Sequence, residues 1–465
     1  MELTGMKLKK HLSFASLREG LSDCFNKIPE HRQEKKVRYS IHDVLMSGFA
    51  CMYFQDPSLL QFQERLERKY HKSNLQTLFG IKKIPESTQL RTATDGVISE
   101  YLNPFFKNCF YRLQRGKHLE AYQLLPNQHL VGIDATDYYS SYELSCGGCL
   151  KTKSSHKNKA EASDDEIIDS SDTDKRIRYS HKALQVALMH PNMRQVIPLM
   201  PEAMSNSDGT TKQDCETNAA KRLIPKIRRA HPQLGIILTG DDLFSRQPMI
   251  EETLAAKMHY IYVAKPDSHK YLMEWLAAYP TVHEKEVVEA KTGARHVYKW
   301  MNSVPLYGGE GAPQVNYFSY QIIVKTKSGK DKNNYQNSWV TDIEVDEKRV
   351  DILVKGGRCR WKIENECFNT LKNQGYCLEH SYGHGDNLSF NFYLLTLIAF
   401  LFHQIQELTD NLFQLCRKSY GSKKNLWDHF RAYIHLMLFE TWEQLLSFVL
   451  DPATYLEGRA PPTEG

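Results

Sequence analysis

Between residues 129 and 264, short apolar segments alternate with segments of helical pattern, and this alternation restricts the fold more than any other feature. Strand-like runs occur at 129–136, 183–189, 195–199, 235–240 and 260–264, and helical runs occur at 212–231 and 249–258. Strands that alternate with helices are typical of α/β proteins. We therefore predict an α/β (α+β) fold with a sheet flanked by helices.

The chain on either side of this region has a different pattern. The first 125 residues are predicted to be helical, with Ser40 and Ser87 as candidate N-caps. Short strands at 317–325 and 338–345, separated by Gly, Lys and Asn turns, predict a β-rich insertion at about 281–350. Residues 351–450 are again predicted to be helical, and 392–403 most simply form a buried core helix.

Charge is distributed unevenly along the 465 residues, whose net charge is +5. The first 125 residues hold 20 Lys and Arg against 13 Asp and Glu, so the positive excess lies there. A basic helical domain fits binding to a phosphate backbone, although a solvated helical face has the same charge pattern. Seven acids and no base at 161–174 indicate a looping insert, because unpaired acids repel one another.

Several classes of protein are excluded by what the sequence lacks. Its longest apolar run, at 392–402, is shorter than the ~18 residues that suggest a membrane span. No apolar segment of the secretory type follows the N-terminus, so we expect a cytoplasmic protein. The ten cysteines are then expected to be reduced thiols or, in part, metal ligands.

Two aspartates follow apolar strands, where α/β proteins often place ligand groups. Asp134 follows Leu-Val-Gly-Ile, and Asp241 follows Ile-Ile-Leu-Thr-Gly, with Asp242 as its rival. Each of them alone is also explained as a turn or helix-capping residue.

A third acid lies in the helical segment 358–372. At about 100° per residue, Arg360 and Glu364 fall inside the apolar arc, whereas Glu366 falls on the polar face with Lys362. We therefore expect Glu364 to face the interior. One explanation is a structural Arg360–Glu364 pair; the other is a carboxylate held for a metal beside a phosphate contact. Two Asp and one Glu suit two Mg²⁺ (or Mn²⁺) ions, which are hard cations that prefer oxygen ligands.

Cysteine and histidine residues offer a second candidate metal site. Cys146 and Cys149 form a CxxC pair, and His156, His181 or Cys215 could complete a zinc site. A pair of reduced thiols in a turn explains the same pattern. We interpret His380 and His384, near Glu379, as structural or close to phosphate.

Four blocks of sequence resemble the DDE transposases of bacterial insertion sequences, of the cut-and-paste type. The blocks are Val131-Gly-Ile-Asp-Ala-Thr-Asp-Tyr-Tyr-Ser-Ser, Lys212-Gln-Asp-Cys-Glu-Thr-Asn-Ala-Ala-Lys-Arg, Ile237-Leu-Thr-Gly-Asp-Asp-Leu-Phe, and Arg360-Trp-Lys-Ile-Glu-Asn-Glu-Cys-Phe-Asn-Thr-Leu-Lys with the following Gly375-Tyr-Cys-Leu-Glu-His. The fourth block is the most specific, and the four together cover about 125–400. Ile84-Pro-Glu-Ser-Thr-Gln-Leu-Arg is also similar to the N-terminal domain of this group.

This resemblance implies an RNase H-like catalytic core with Asp134, Asp241 and Glu364 as catalytic and metal-binding residues. It also implies that Arg360 and Lys372 bind DNA near the cut. The expected domains are a DNA-binding domain at 1–125, the core at 126–280 and 351–465, and an insertion at 281–350. The sequence departs from the hairpin-forming branch at two places. Gly357 stands where that branch has Tyr, and Lys372 follows Glu364 by eight residues instead of seven.

The resulting hypothesis is a Mg²⁺-dependent DNA transposase that cuts transposon ends and joins the 3′-OH to target DNA. Its expected partners are double-stranded DNA, as terminal inverted repeats and target, and a second copy of the chain in the DNA complex. An RNase H-like nuclease would cut without joining. A catalytically inactive DNA-binding protein would bind DNA regardless of Asp134.

Overall fold

The computed structural model describes residues 10–56, 58–67, 73–155, 175–206, 213–279 and 282–453. The acidic stretch 161–174 lies outside these residues, as do His156 and Lys212. The described strands form one mixed 12-stranded sheet. They are β1 Gln123–Leu125, β2 Gln128–Ser141, β3 Leu150–Ser155, β4 Lys175–Met189, β5 Ile197–Pro198, β6 Glu202–Met204, β7 Gly235–Gly240, β8 His259–Val263, β9 His283–Val288, β10 Arg295–Pro305, β11 Gln314–Lys325 and β12 Asp331–Thr341.

Four strands at the centre of the sheet, β2, β4, β7 and β8, contain the apolar runs that predicted strands, whereas β3 was not predicted. The main order is β3-β4-β2-β7-β8-β12-β11-β10-β9. Strands β2, β7 and β8 are parallel, whereas β4 pairs antiparallel with both β2 and β3. The predicted α/β class is therefore confirmed in its coarse form, as a mixed sheet with helices packed on it.

Strands β9 to β12 form an antiparallel meander in the region predicted as a β-rich insertion. The meander is joined to the centre of the sheet, because β12 pairs antiparallel with β8 through Trp339, Val340 and Thr341. The sequence located its strands only in part. The strand predicted at 338–345 begins earlier and ends at Thr341.

The described α-helices precede, interrupt and follow the strands. They are α1 Phe14–Asn26, α2 Ile41–Tyr53, α3 Leu59–Glu67, α4 Asn74–Phe79, α5 Ser87–Asp95, α6 Asn103–Arg115, α7 Glu216–Ala230, α8 Gln247–Ala255, α9 Lys270–Ala278, α10 Val350–Arg358, α11 Asn369–Asn373, α12 Leu388–Thr409, α13 Asn411–Ser419, α14 Lys423–Leu436 and α15 Trp442–Leu450. Between α10 and α11, residues Ile363–Phe368 form a π-helix.

Helix starts follow the local sequence closely. The Ser40 hydroxyl accepts a hydrogen bond from the Asp43 amide, which confirms Ser40 as the N-cap of α2. At α5 the prediction was wrong by one residue: Glu86 is the N-cap and Ser87 is the first helical residue. The Ser87 amide donates instead to the Gln63 side chain.

Helix α12 lies at the centre of the helical part of the molecule. Residues from Leu388 to Gln406 are largely buried, which confirms the prediction of a core helix. By length and composition α12 could cross a membrane, but 89% of its most apolar window is buried inside the protein. Such burial is usual for the core helix of a soluble protein.

The N-terminal helices share a core with the C-terminal ones. The Tyr53 hydroxyl of α2 donates to the Gln406 side chain of α12 over 2.8 Å. The side-chain amide of Asn74, in α4, donates to the Ile434 carbonyl over 2.7 Å. On its other side α12 reaches the sheet, where Tyr393 donates to Gln185 of β4 over 3.0 Å. These contacts fix the helical layer relative to the sheet.

Candidate active site

The parallel pairing of β2 and β7 determines where the two aspartates lie. Gly132 pairs with Thr239, so continuing the register places Asp134 level with Asp241 on the neighbouring strand. The sequence suggested that Asp134 lies at the end of its strand. This was wrong, because β2 continues to Ser141. Asp241 directly follows β7, as predicted.

Glu364 and Asp134 are connected by an arginine that donates hydrogen bonds to both. The π-helix packs over the face of β2 that carries Gly132 and Asp134, since a Cβ added at Gly132 would lie 3.6 Å from Ile363 Cβ. Arg360 donates from Nη1 to Asp134 Oδ2 over 3.2 Å and to Glu364 Oε1 over 2.7 Å. The structural Arg360–Glu364 pair weighed from sequence is therefore present, and it extends to Asp134.

The helix-angle prediction for Glu364 was wrong. The Glu364 side chain is 49% exposed, whereas Lys362, expected on the polar face, is buried and donates to the Met193 carbonyl. Glu366 is partly buried instead of facing water. The segment is not one continuous helix, because α10 ends at Arg358 and Cys359 and Arg360 form a turn. Trp361, at the edge of the assumed apolar arc, is 46% exposed. A single wheel of 100° per residue therefore does not describe the segment, and the π-helix adds a further drift only after Ile363.

The surroundings of Asp134 favour the protonated, neutral form of its carboxyl group. Burial raises the pKa of Asp134 to about 7, and the negative charges of Glu364 and Asp241 add to the rise, whereas Arg360 opposes it. The contributions of Glu364 and Asp241 also show that all three acids interact electrostatically. A site that disfavours further negative charge is one that a bound cation would stabilise.

Asp242 has a structural role that Asp241 does not share. Its Oδ1 accepts hydrogen bonds from the Lys265 amide over 2.7 Å and from the Ser268 hydroxyl over 2.5 Å. Arg246 approaches its other oxygen. Among the residues that the structure describes, the Asp241 carboxylate accepts a hydrogen bond only from the Leu243 amide. Asp241 therefore has oxygen positions free for a ligand.

A fourth carboxylate, which sequence reasoning missed, lies near this group. Glu216 is in the first turn of α7, and burial together with the charges of Asp241 and Asp137 raises its pKa, against the attraction of Lys182. Glu216 belongs to the second block of the resemblance, Lys-Gln-Asp-Cys-Glu, so the signal was present in the sequence. No strand or helix pattern singled it out.

Lys372 borders an open basic cavity of about 630 Å³. Its Nζ lies 2.8 Å from Glu379. The cationic residues that line the cavity are Arg194, Lys372, Arg417, Lys423, Lys424 and Arg431. Arg417 Nη1 is buried and has no hydrogen-bond partner within the described ranges of the chain. The cavity therefore has a charge surplus that suits an anionic ligand.

Gly357 occupies the place where the hairpin-forming branch has Tyr. A Cβ added there would lie 2.6 Å from ring atoms of Trp339. Trp339 is fully buried. No side chain fits at this position, so the departure from the family pattern has a steric cause.

The donor chemistry of the three acids fits a hard divalent cation, because all their ligand atoms are carboxylate oxygens. Their oxygens are not gathered as tightly as a filled site requires. In the part of the chain that the structure describes, the one group of metal-ligating atoms within 4.8 Å of one another is Cys146, Cys149, His181 and His384. Arg360 lies between Asp134 and Glu364 and supplies the positive charge there.

The structure brings together only some of the zinc ligands that the sequence suggested, and zinc binding by them stays a prediction. His181 joins the CxxC pair, whereas Cys215 is exposed and outside the group. His384, which we interpreted as structural or close to phosphate, is the fourth member. His384 lies far from the cysteines in the sequence, so the sequence alone did not predict this contact.

No protein-family model matches this chain, and no curated protein sequence matches it. Functional inference therefore depends on the residues and their geometry.

Proposed function

We propose that this chain is a DNA transposase of the DDE type, with an RNase H-like catalytic core that uses Asp134, Asp241 and Glu364. The observation that carries the proposal is the convergence of these acids. They come from β2, the end of β7 and the π-helix. Asp134 interacts electrostatically with the other two acids, and Arg360 contacts Asp134 and Glu364.

The sheet supports the same proposal. Its central strands β3, β4, β2, β7 and β8 make a mixed sheet flanked by helices, as an RNase H-like core requires. The meander β9–β12 lies in the chain between Asp241 and Glu364, where the resemblance implies an insertion.

Asp134, Asp241 and Glu364 would hold Mg²⁺ or Mn²⁺, as two ions. A bound pair supplies activation of a water or a 3′-OH and stabilisation of the leaving oxygen. Asp134 must give up its proton to act as a ligand, and its raised pKa makes this step dependent on pH. Arg360 then loses its carboxylate partners and presents its planar guanidinium to a DNA phosphate.

Double-stranded DNA is the proposed partner, as transposon end and as target. The basic cavity beside Lys372 would hold phosphates near the acids, because Lys372 follows Glu364 in the same helical segment. The basic excess of the N-terminal helices would add contacts further along the duplex. A second copy of the chain would bring the other transposon end.

Strand transfer from a pre-cut end is the decisive experiment. The probe is a labelled duplex carrying the DNA that flanks the coding sequence, with a free 3′-OH, incubated with Mg²⁺ and a supercoiled plasmid. We expect joined product from the parent protein and a loss of at least about 10³-fold in Asp241→Asn. Glu366→Gln changes an acid two residues from Glu364 and should retain activity.

The other outcomes separate the remaining functions. Cutting without any joined product would indicate an RNase H-like nuclease. DNA binding without Mg²⁺-dependent cutting would indicate an inactive DNA-binding protein. Normal cutting by Asp241→Asn would refute the assignment of the acids themselves.

A further inference from the structure

Three separate parts of the chain bring sulfur and nitrogen ligands to one point, away from the carboxylates. Cys146 and Cys149 lie in the loop between β2 and β3, His181 lies in β4, and His384 lies in the segment before α12. The Cys149 and His181 side chains are buried. Four potential metal ligands from three segments of the chain lie close together, and this clustering needs a physical explanation.

The distances agree with tetrahedral zinc coordination. Bonds of about 2.3 Å to sulfur and about 2.0 Å to nitrogen separate two sulfurs by about 3.8 Å, and a sulfur from a nitrogen by about 3.5 Å. The two Sγ atoms are 3.6 Å apart, and His181 Nε2 lies 3.3 Å from Cys146 Sγ and 3.2 Å from Cys149 Sγ. A disulfide would require about 2.05 Å, and both cysteines are free.

His384 provides an independent observation. Both of its ring nitrogens are buried and have no hydrogen-bond partner among the residues that the structure describes. Burying polar atoms without partners costs free energy, so such atoms are usually paired with protein, water or an ion. The ligand atoms of all four residues lie within 4.8 Å of one another, so one ion can satisfy His384 together with the other three.

We propose that Cys146, Cys149, His181 and His384 bind one structural Zn²⁺. Binding releases one proton from each of the two thiols, and both histidines coordinate as neutral rings. Four protein ligands leave no open position, so the ion stabilises the fold and takes no part in catalysis. This proposal does not depend on the function proposed above.

The zinc would join the β2–β3 loop and β4 to the segment that leads into α12. Tyr139 of β2 packs against both histidines, with ring centroids 5.6 Å from His181 and 4.5 Å from His384. Asp134 lies on the same strand as Tyr139. Loss of the ion should therefore make the part of the sheet next to Asp134, formed by β2, β4 and β3, less rigid.

Metal analysis of the untagged full chain, purified with its thiols reduced, tests the proposal directly. We expect about one zinc per chain in the parent protein and about tenfold less in Cys149→Ser and His384→Asn. Cys215→Ser and His380→Asn change a cysteine and a histidine outside the group and should keep the zinc. A reduced parent protein that neither contains nor takes up zinc would overturn the proposal, and so would equal losses in the control variants.

A second measurement uses the parent protein alone, in case the ligand variants fail to fold. Zinc should protect Cys146 and Cys149 from alkylation, and a chelator should make them react, as located by peptide mass spectrometry. Cobalt(II) in place of zinc should give the visible absorption of a tetrahedral thiolate complex. Equal alkylation of Cys146 with and without chelator would contradict the proposal.

Discussion

Asp134 is the residue whose protonation should couple the site to pH. Because burial and neighbouring acids raise its pKa to about 7, the folded protein binds this proton more tightly than the unfolded chain, whose carboxyl titrates near pH 4. Without divalent cations, stability should therefore fall as pH rises from about 4 to about 7. Urea midpoints measured at pH 5 and pH 8 in buffer without added Mg²⁺ or chelator check this, and Asp134→Asn should remove the contribution.

Addition of Mg²⁺ should reverse part of that trend. A cation favours the ionised carboxylate, so the stabilisation by Mg²⁺ should grow as pH rises through about 7. A stabilisation by Mg²⁺ that is the same at pH 5 and pH 8 would contradict a role for Asp134 as a ligand.

Glu216 should support the site without being essential to it. Its charge acts on Asp241, so Glu216→Gln removes a negative charge beside the candidate cation ligands. We expect an apparent Mg²⁺ affinity weaker by roughly 10-fold, as for groups that act through a ligand, and a maximal rate retained at high Mg²⁺. Titration of cleavage against Mg²⁺ measures this, with Glu251→Gln on α8 as the control. A loss as complete as that of Asp241→Asn would make Glu216 a ligand itself.

At the scale of single elements, the π-helix would account for the spacing of Lys372 under the function proposed above. Lys372 follows Glu364 by eight residues instead of the seven typical of the hairpin-forming branch. An i→i+5 turn holds one residue more than an α-helical turn, so Ile363–Phe368 takes up the additional residue. Lys372 can then keep its position relative to Glu364 despite the longer spacing. Interruptions of this type are frequent at functional sites.

The stability of helix α12 should depend on an N-terminal cap from a residue that is distant in the sequence. Asp95, the last residue of α5, accepts hydrogen bonds from the amides of Asn387 and Leu388, each over 2.9 Å. Asp95→Ala should lower the free energy of unfolding by about 1–2 kcal/mol, because it leaves amides at the start of α12 unpaired. Denaturant unfolding measures this, and Asp23→Ala, at an exposed position of α1, is the control. Equal stability of the two variants would show that water replaces the cap.

The whole molecule presents its basic cavity where α11, α13 and α14 approach one another. Arg194 and Lys424 are exposed there, so they are available to a DNA phosphate. Arg194→Glu and Lys424→Glu should weaken binding to a duplex of any sequence, and each should reduce the slope of log affinity against log salt by about 0.9. Lys327→Glu, in the turn between β11 and β12, is the control for charge alone. An unchanged slope in the cavity variants would exclude this surface from the interface.

The sequence by itself determined the elements that local patterns encode. Apolar runs predicted the central strands, Ser40 predicted the start of α2, and the composition of 392–402 predicted a core helix, because burial and capping leave a local signature. Strand ends and the residues around Ser87 were less well located, since neighbouring segments decide where pairing stops.

Only the tertiary structure decided which side chains meet. The register of β2 against β7 places Asp134 beside Asp241. The turn at Cys359 and Arg360, which a 100° wheel does not show, precedes an exposed Glu364, and Arg360 joins Glu364 to Asp134. His384 reaches Cys146 across more than two hundred residues. Such contacts depend on long-range packing, whereas periodicity reports only the neighbours of a residue within its own element. The sequence therefore suggested some of the partners, such as Arg360 with Glu364 and His181 with the cysteines, whereas the contacts of Arg360 with Asp134 and of His384 with the cysteines came only from the tertiary structure.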